Sequence, residues 1–291
     1  MRLTPLIAAA TLVGSAAQAA PAPQHFSIPF AAEIAGKPFT CSAEYRGLGK
    51  VPAVARVGDF RLYISEVALI RKDGAAVPLA LDQDGQWQYK GVALIDFEDG
   101  TANCANGTSA TNTTLRGTAP KGDYTGIAFT VGVPFELNHG DVTQAPPPLN
   151  MTSMAWAWQL GFRFWKIELS SLPDPIPAPS ADPFNPLRPS HWSIHLGSTE
   201  CASASVTTAP KAPCANPNRI AVRLTGFDPA KGVVIDPTEA LAESNLLANT
   251  PRTSSGCMSF VNDPDCAPLF YRLGLPFNGV APGAQKLVKA R

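Results

Sequence analysis

The sequence predicts a mainly β fold: a sandwich or barrel-like single domain, disulfide-stapled, with a few short helices near the C-terminus. Three observations predict it. Short segments alternate apolar and polar residues with the two-residue period of a strand. Turn pairs such as Asp73-Gly74, Asp84-Gly85, Asp99-Gly100 and Asn106-Gly107 punctuate them, in a chain with 23 glycines and 29 prolines. Six cysteines follow an export-type leader, and an oxidising compartment turns an even number into disulfides.

The leader comes first. Arg2 supplies a positive start, Leu3 to Val13 an apolar stretch, and Ser15-Ala16-Ala17-Gln18-Ala19-Ala20 an A-x-A-like cleavage site. Residues 1–20 therefore read as a Sec-type signal peptide and predict a periplasmic protein. No cysteine at that junction offers a lipid anchor, and no later stretch approaches the roughly 18 apolar residues of a membrane span. Residues 21–291 are expected as one β-rich domain. Losing Arg2 and no acid leaves 22 basic against 23 acidic side chains, a formal charge of −1. Without blocks of like charge, nucleic acid and anionic membranes are poor candidate partners.

Phe60, Leu62 and Ile64 alternate with Arg61, Tyr63 and Ser65, and the apolar parity then shifts to Val67 and Leu69, as a β-bulge would shift it. Val92 to Phe97 is an apolar run broken only at Asp96. Ile127, Phe129, Val131 and Val133 form another strand pattern, and Ile220, Val222 and Leu224 a further one. Met154, Trp156, Trp158, Leu160, Phe162 and Phe164 share one parity, which predicts a strand with its large side chains on one face. Ser171 to Ser190 is proline-rich and reads as an extended surface loop. Asp236-Pro237-Thr238-Glu239 opens a helix over 240–248, and Asn262 to Asp265 opens a second that stops near Gly274.

Cys41, Cys104, Cys201, Cys214, Cys257 and Cys266 contain no C-x-x-C, which disfavours zinc ribbons, thioredoxin sites and c-type haem attachment. The expected pairing is Cys41–Cys104, Cys201–Cys214 and Cys257–Cys266, since the last two close short loops. Nucleophile elbow, H-E-x-x-H, P-loop and dinucleotide fingerprint are all missing. Binding rather than catalysis is the expectation.

Four histidines are available: His25, His139, His191 and His195. His139 follows a strand, in a loop where ligands are often held. On a strand, His191 and His195 face one side about 13 Å apart at ~3.3 Å per residue. One ion with ~2 Å bonds cannot hold both, so one of the pair is expected at a site. The Met154–Phe164 face offers either bulky core or a thioether and aromatic wall suited to Cu(I). Asp96-Phe97-Glu98-Asp99-Gly100 could present oxygens to Ca²⁺, although without EF-hand spacing. Trp156, Trp158 and Trp192 could instead form a sugar-stacking platform on a carbohydrate-binding or structural module, which would need them exposed and coplanar.

Several stretches, in order, resemble the MbnP family of metallo-mystery-pair, copper-associated proteins. They include Pro38-Phe39-Thr40-Cys41, Asp59-Phe60-Arg61-Leu62-Tyr63-Ile64-Ser65, Val92-Ala93-Leu94-Ile95-Asp96-Phe97-Glu98 and Gly107-Thr108. Gly132-Val133-Pro134-Phe135, Leu137-Asn138-His139, Met154-Ala155-Trp156-Ala157-Trp158-Gln159, His195-Leu196-Gly197-Ser198-Thr199 and Cys257-Met258-Ser259 continue the series. The resemblance implies copper acquisition or storage in the periplasm. It also implies a di-haem partner of the cytochrome c peroxidase type, which oxidises a tryptophan to a copper-binding kynurenine. Carried over, the copper candidates are His139 and His195, with Trp156 or Trp158 as the modified residue. Two cysteines beyond a set of four, and Trp192 beside His191 as a third indole, depart from that pattern.

Overall fold

The structure, a computed structural model, describes residues 22–291 apart from 181, 183 and 185; the leader expected at 1–20 lies outside the described residues. The smaller sheet runs in the spatial order Val288–Ala290, Val233–Ile235, Pro23–Ile34, Thr114–Pro120 and Ala80–Leu81. The larger runs Ile220–Thr225, Tyr124–Val131, Ala53–Arg71, Trp165–Pro173, Ser190–Leu196 and Gly256–Cys257, and Val92–Asp96 also pairs with Ala53–Arg71. The mainly β expectation holds. No helix among the described residues is long and apolar enough to cross a membrane.

The 19-residue strand Ala53–Arg71 organises the larger sheet. Its Phe60, Leu62 and Ile64 enter a core shared by both sheets, where Phe30 of the small sheet meets Phe129 of the large one at 5.9 Å between ring centroids. Each such side chain, fully buried, contributes ~1.5–3 kcal/mol. The parity shift is a real bulge: Ser65 pairs with Thr130 and Ala68 with Ala128, so Glu66 and Val67 together oppose Phe129. Glu66 there has φ 55°.

The other face of the same strand is also covered. Tyr63 joins Val92, Leu94, Val133, Leu149, Met154, Phe162 and Phe164 in a second apolar cluster. Those last five residues belong to the segment that follows Tyr124–Val131 and folds back across the sheet. Burial on both faces accounts for the nearly continuous apolar run of Val92–Asp96.

Three local expectations are corrected. Residues 154–164 do not form one strand, because Trp165–Pro173 already fills the place beside Ala53–Arg71. Their chain turns at Ala157–Leu160 instead, with Ala155 bridging Phe162 and the Trp156 amide donating to the Gly161 carbonyl at 2.9 Å. The 240–248 helix is one turn, Thr238–Leu241, with the Thr238 amide donating to Asp236 Oδ1 at 3.0 Å. Beyond it the chain tightens into a three-residue turn, with the Ser244 amide donating to the Leu241 carbonyl at 2.8 Å, and the Ser244 carbonyl accepts from the Lys50 amide at 2.8 Å. A further short helix, Phe135–Asn138, lies mid-chain rather than near the C-terminus. Cys266–Leu273 ends as expected, at Gly274 with φ 73°.

The proline-rich stretch links the adjacent strands Trp165–Pro173 and Ser190–Leu196, and its first three residues still pair with Ala53, Val54 and Ala55. All three disulfides join the expected partners: Cys41–Cys104, Cys201–Cys214 and Cys257–Cys266.

Candidate functional site

The covered face of the large sheet carries a polar row. Asp96 pairs with Arg61, Arg61 with Lys166, and Lys166 with His195, one residue from each of four adjacent strands. Strand alternation sends these four to the same side. Asp59 and Glu168 lie in the next row and tie it together. The Arg61 guanidinium grips Asp59 through two nitrogens and lies 3.5 Å from Glu98. Lys166 Nζ reaches Asp59 at 2.7 Å and Glu168 at 3.1 Å. Arg61, Asp59 and Glu98 are all buried, and buried charges of this kind persist only when paired and hydrogen-bonded. Asp96, also buried, makes no ion pair among the described residues and leaves Oδ2 without a partner there. Burial pushes the Asp96 carboxyl up to about 8.

His195 closes the row. Its Nε2–H donates to Glu168 Oε1 at 3.3 Å, and its Nδ1 accepts from Arg163 Nε at 3.2 Å. This pattern fits the neutral ring protonated on Nε2, and burial holds the His195 pKa below the usual histidine value. The hydrogen bond from His195 holds Glu168 down at about 2. Trp156 completes the group: its ring centroid is 6.5 Å from that of His195 and 6.2 Å from that of Phe260. The Arg163 guanidinium stacks over the indole at 5.5 Å, held by the Ser153 and Ala155 carbonyls. The indole is seated against Gly197, where a Cβ would fall 2.4 Å from Trp156 Cζ3.

His139 lies elsewhere on the same loop. Its Nδ1–H donates to the Trp158 carbonyl at 3.0 Å, and Asn138 Nδ2 approaches its Nε2 at 3.1 Å. Asn138 also donates to Ser198 Oγ and accepts from the Phe162 amide. Burial lowers the His139 pKa. The structure thus brings Trp156 to His195, and His139 to the backbone of Trp158, without joining the two histidines. Trp158 is 37% exposed.

Trp192 points the other way, into the core between the sheets, opposite in parity to His191 and His195. The three indoles therefore share no exposed face, and a sugar platform built from them is ruled out. In the Asp96–Gly100 loop the Glu98 carboxylate is taken up by the amides of Gly100 and Thr108. A Cβ on Gly107 would strike the Glu98 carboxylate at 1.6 Å. The Glu98 oxygens are therefore enclosed by the loop's own backbone rather than open to a calcium ion.

Arg163, Glu168, Lys166 and Asp59 escaped the sequence reading. A signal was present, since charged side chains sit at alternate positions of otherwise apolar strands, as in Trp165-Lys166-Ile167-Glu168-Leu169.

The MbnP family model matches residues 23–259. The solved structure of MbnP from Methylosinus trichosporium is similar to this chain, at 34% sequence identity and a TM-score of 0.75 over 92% of this chain and 98% of that one. A comparison with curated proteins gives no match. The family model covers most of the chain and the structural likeness extends across nearly all of it, so this protein belongs to the MbnP family.

Proposed function

We propose that this chain is a periplasmic copper-binding protein acting in copper acquisition or storage. In this reading, Trp156 is oxidised to kynurenine by a di-haem partner of the cytochrome c peroxidase type. One observation carries the assignment: Trp156 is the indole whose ring packs beside a histidine ring, 6.5 Å from His195. Two molecules of hydrogen peroxide, used by the haem partner and reduced to two waters, insert two oxygen atoms across the indole C2–C3 bond, which breaks to give the N-formyl ketone. Water then hydrolyses the formyl group, and C2 leaves as formate. An indole is a poor ligand, whereas kynurenine presents an aromatic amine and a ketone beside the imidazole.

The residues fit copper as cargo. His195 is held neutral, as a metal ligand must be, and imidazole suits copper in either oxidation state. Glu168 orients the ring through Nε2, the supporting role that carboxylates play around metal-bound histidines. Arg163 must leave Nδ1 before a metal takes that nitrogen. Trp158, more exposed than Trp156, remains a candidate for oxidation but has no histidine ring beside it.

The test is intact mass, peptide mapping and metal analysis on protein purified from its native periplasm. A Trp156 peptide about 4 Da heavier, with copper bound and lost in His195→Ala, supports the assignment. Copper on unmodified tryptophans removes the kynurenine step, and neither copper nor modification overturns the reading.

A further inference from the structure

The Cys201–Cys214 disulfide sits against a histidine. Cys214 Sγ lies 3.8 Å from His139 Nε2, and the ligand atoms of His139, Cys201 and Cys214 all fall within 4.8 Å of one another. Among the described residues this is the one such grouping of His, Cys, Asp or Glu side chains, and because its two sulfurs are bonded to each other it offers three separate ligand atoms only once the disulfide is reduced. Nothing in the Trp156–His195 reading uses it.

The imidazole turns its unprotonated nitrogen toward the sulfur. Its Nδ1–H is fixed on the Trp158 carbonyl at 3.0 Å, which leaves Nε2 with its lone pair on the sulfur side. A backbone carbonyl holding one ring nitrogen is how proteins fix the tautomer of a metal-binding histidine. Asn138 Nδ2 caps Nε2 at 3.1 Å and has Ser198 Oγ as a second partner, so it can release the ring. His139 and Cys214 also line a cavity of about 160 Å³.

The three disulfides differ in their surroundings. Cys257 and Cys266 belong to the main core, and Cys104 is fully buried. Cys201 and Cys214 are the least covered, at 6% and 7% exposure, and Cys201 lines a surface groove with Gln159, Glu200 and Phe260. The bond closes a loop of sequence separation 13 whose residues are mostly exposed and lie outside the strands. No strand pairing runs through that loop, whose base is also held by the Ala215 amide on the Glu200 carbonyl at 3.1 Å.

We infer that Cys201–Cys214 is a redox latch over a second metal site, in which His139 and the two freed thiolates hold one Cu(I) ion. Two thiolates and an imidazole are a soft donor set matched to Cu(I). An external dithiol attacks the disulfide, leaving two protein thiols and the dithiol's own disulfide. One Cu(I) then displaces two thiol protons, which pass to solvent, and the ion bridges both sulfurs and His139 Nε2. The site is closed to metal in the oxidised protein.

The test uses the full mature chain, oxidised or treated with a dithiol under native conditions, with competition against a chromophoric Cu(I) chelator. Alkylation and peptide mapping identify which cysteines were freed. The expected result is selective opening of Cys201–Cys214 with one added equivalent of Cu(I). That equivalent is absent from the Cys201→Ser/Cys214→Ser double variant, and His139→Gln weakens it by more than about tenfold, the low end of losing a supporting partner alone. Because His139→Gln keeps every disulfide, its effect stands even if the double variant misfolds. Dithiol that opens another disulfide first, or Cu(I) uptake unchanged by reduction or by His139→Gln, overturns the inference. Failure at Trp156 and His195 leaves these readouts untouched.

Discussion

Arg163 donates its Nε–H to His195 Nδ1 at 3.2 Å while its guanidinium covers the Trp156 ring at 5.5 Å. One side chain therefore occupies both the nitrogen and the aromatic face that a metal would approach. Its positive charge also opposes an incoming cation and disfavours removal of an electron from the indole.

Replacing it should open the site. Arg163→Met is expected to tighten copper binding at His195 by roughly tenfold, the scale on which partners of a metal ligand change affinity. It should also cost some stability, because Arg163 ties down the Ser153 and Ala155 carbonyls. Competition titration of wild type and variant, each checked for folding, decides the point. Equal or weaker copper binding in the variant would show that Arg163 does not compete with the ion.

The seat of Trp156 depends on a missing side chain. A Cβ on Gly197 would come within 2.4 Å of Trp156 Cζ3 and 2.8 Å of the Phe162 carbonyl oxygen. Both contacts are too close, so the indole and the backbone at residue 197 must shift together. Gly197→Ala is expected to destabilise the fold by about 1–3 kcal/mol and to lower the yield of modified Trp156. Thermal melts with peptide mapping test both effects, and a variant with normal stability and normal modification would contradict the packing argument.

Much of the fold was legible because strand alternation has a fixed period. Phe60, Leu62 and Ile64 announced the core face, and the parity change at Val67 announced the bulge. The same rule misled at Trp156 and Trp158. A shared parity means a shared face only where the chain runs straight, and the turn at Ala157–Leu160 breaks that condition. His139 and His195 were visible as candidates, but their separation depends on how the 132–164 segment crosses the sheet. Arg163 was hidden for a related reason, since its partners at Ser153, Ala155 and His195 are made by tertiary folding.

The buried row gives a stability test. Arg61 is the cation between Asp59 and Glu98, and removing one partner of a buried ionic group leaves charge uncompensated. Arg61→Ala is expected to cost about 3–5 kcal/mol, measured by urea unfolding. A loss below about 1 kcal/mol, the scale of an exposed pair, would mean that the row is solvated.

Asp96 makes the same row sensitive to pH. Burial pushes its folded pKa up to about 8, against roughly 3.9 in an unfolded chain. The folded state therefore holds a proton that the unfolded state releases between those values. Its contribution is fully present below about pH 4 and is lost as pH rises through the folded pKa. The amide in an Asp96→Asn variant cannot titrate, yet it keeps the Oδ1 acceptor for the Glu98 backbone N–H. The variant should gain stability relative to wild type as pH rises from about 4 to about 8, and the difference should level off above that range. Comparing the two proteins cancels the other titrating groups. A difference that stays flat with pH would mean that Asp96 is already ionised in the folded protein, with its charge held by Arg61 across the strand pair.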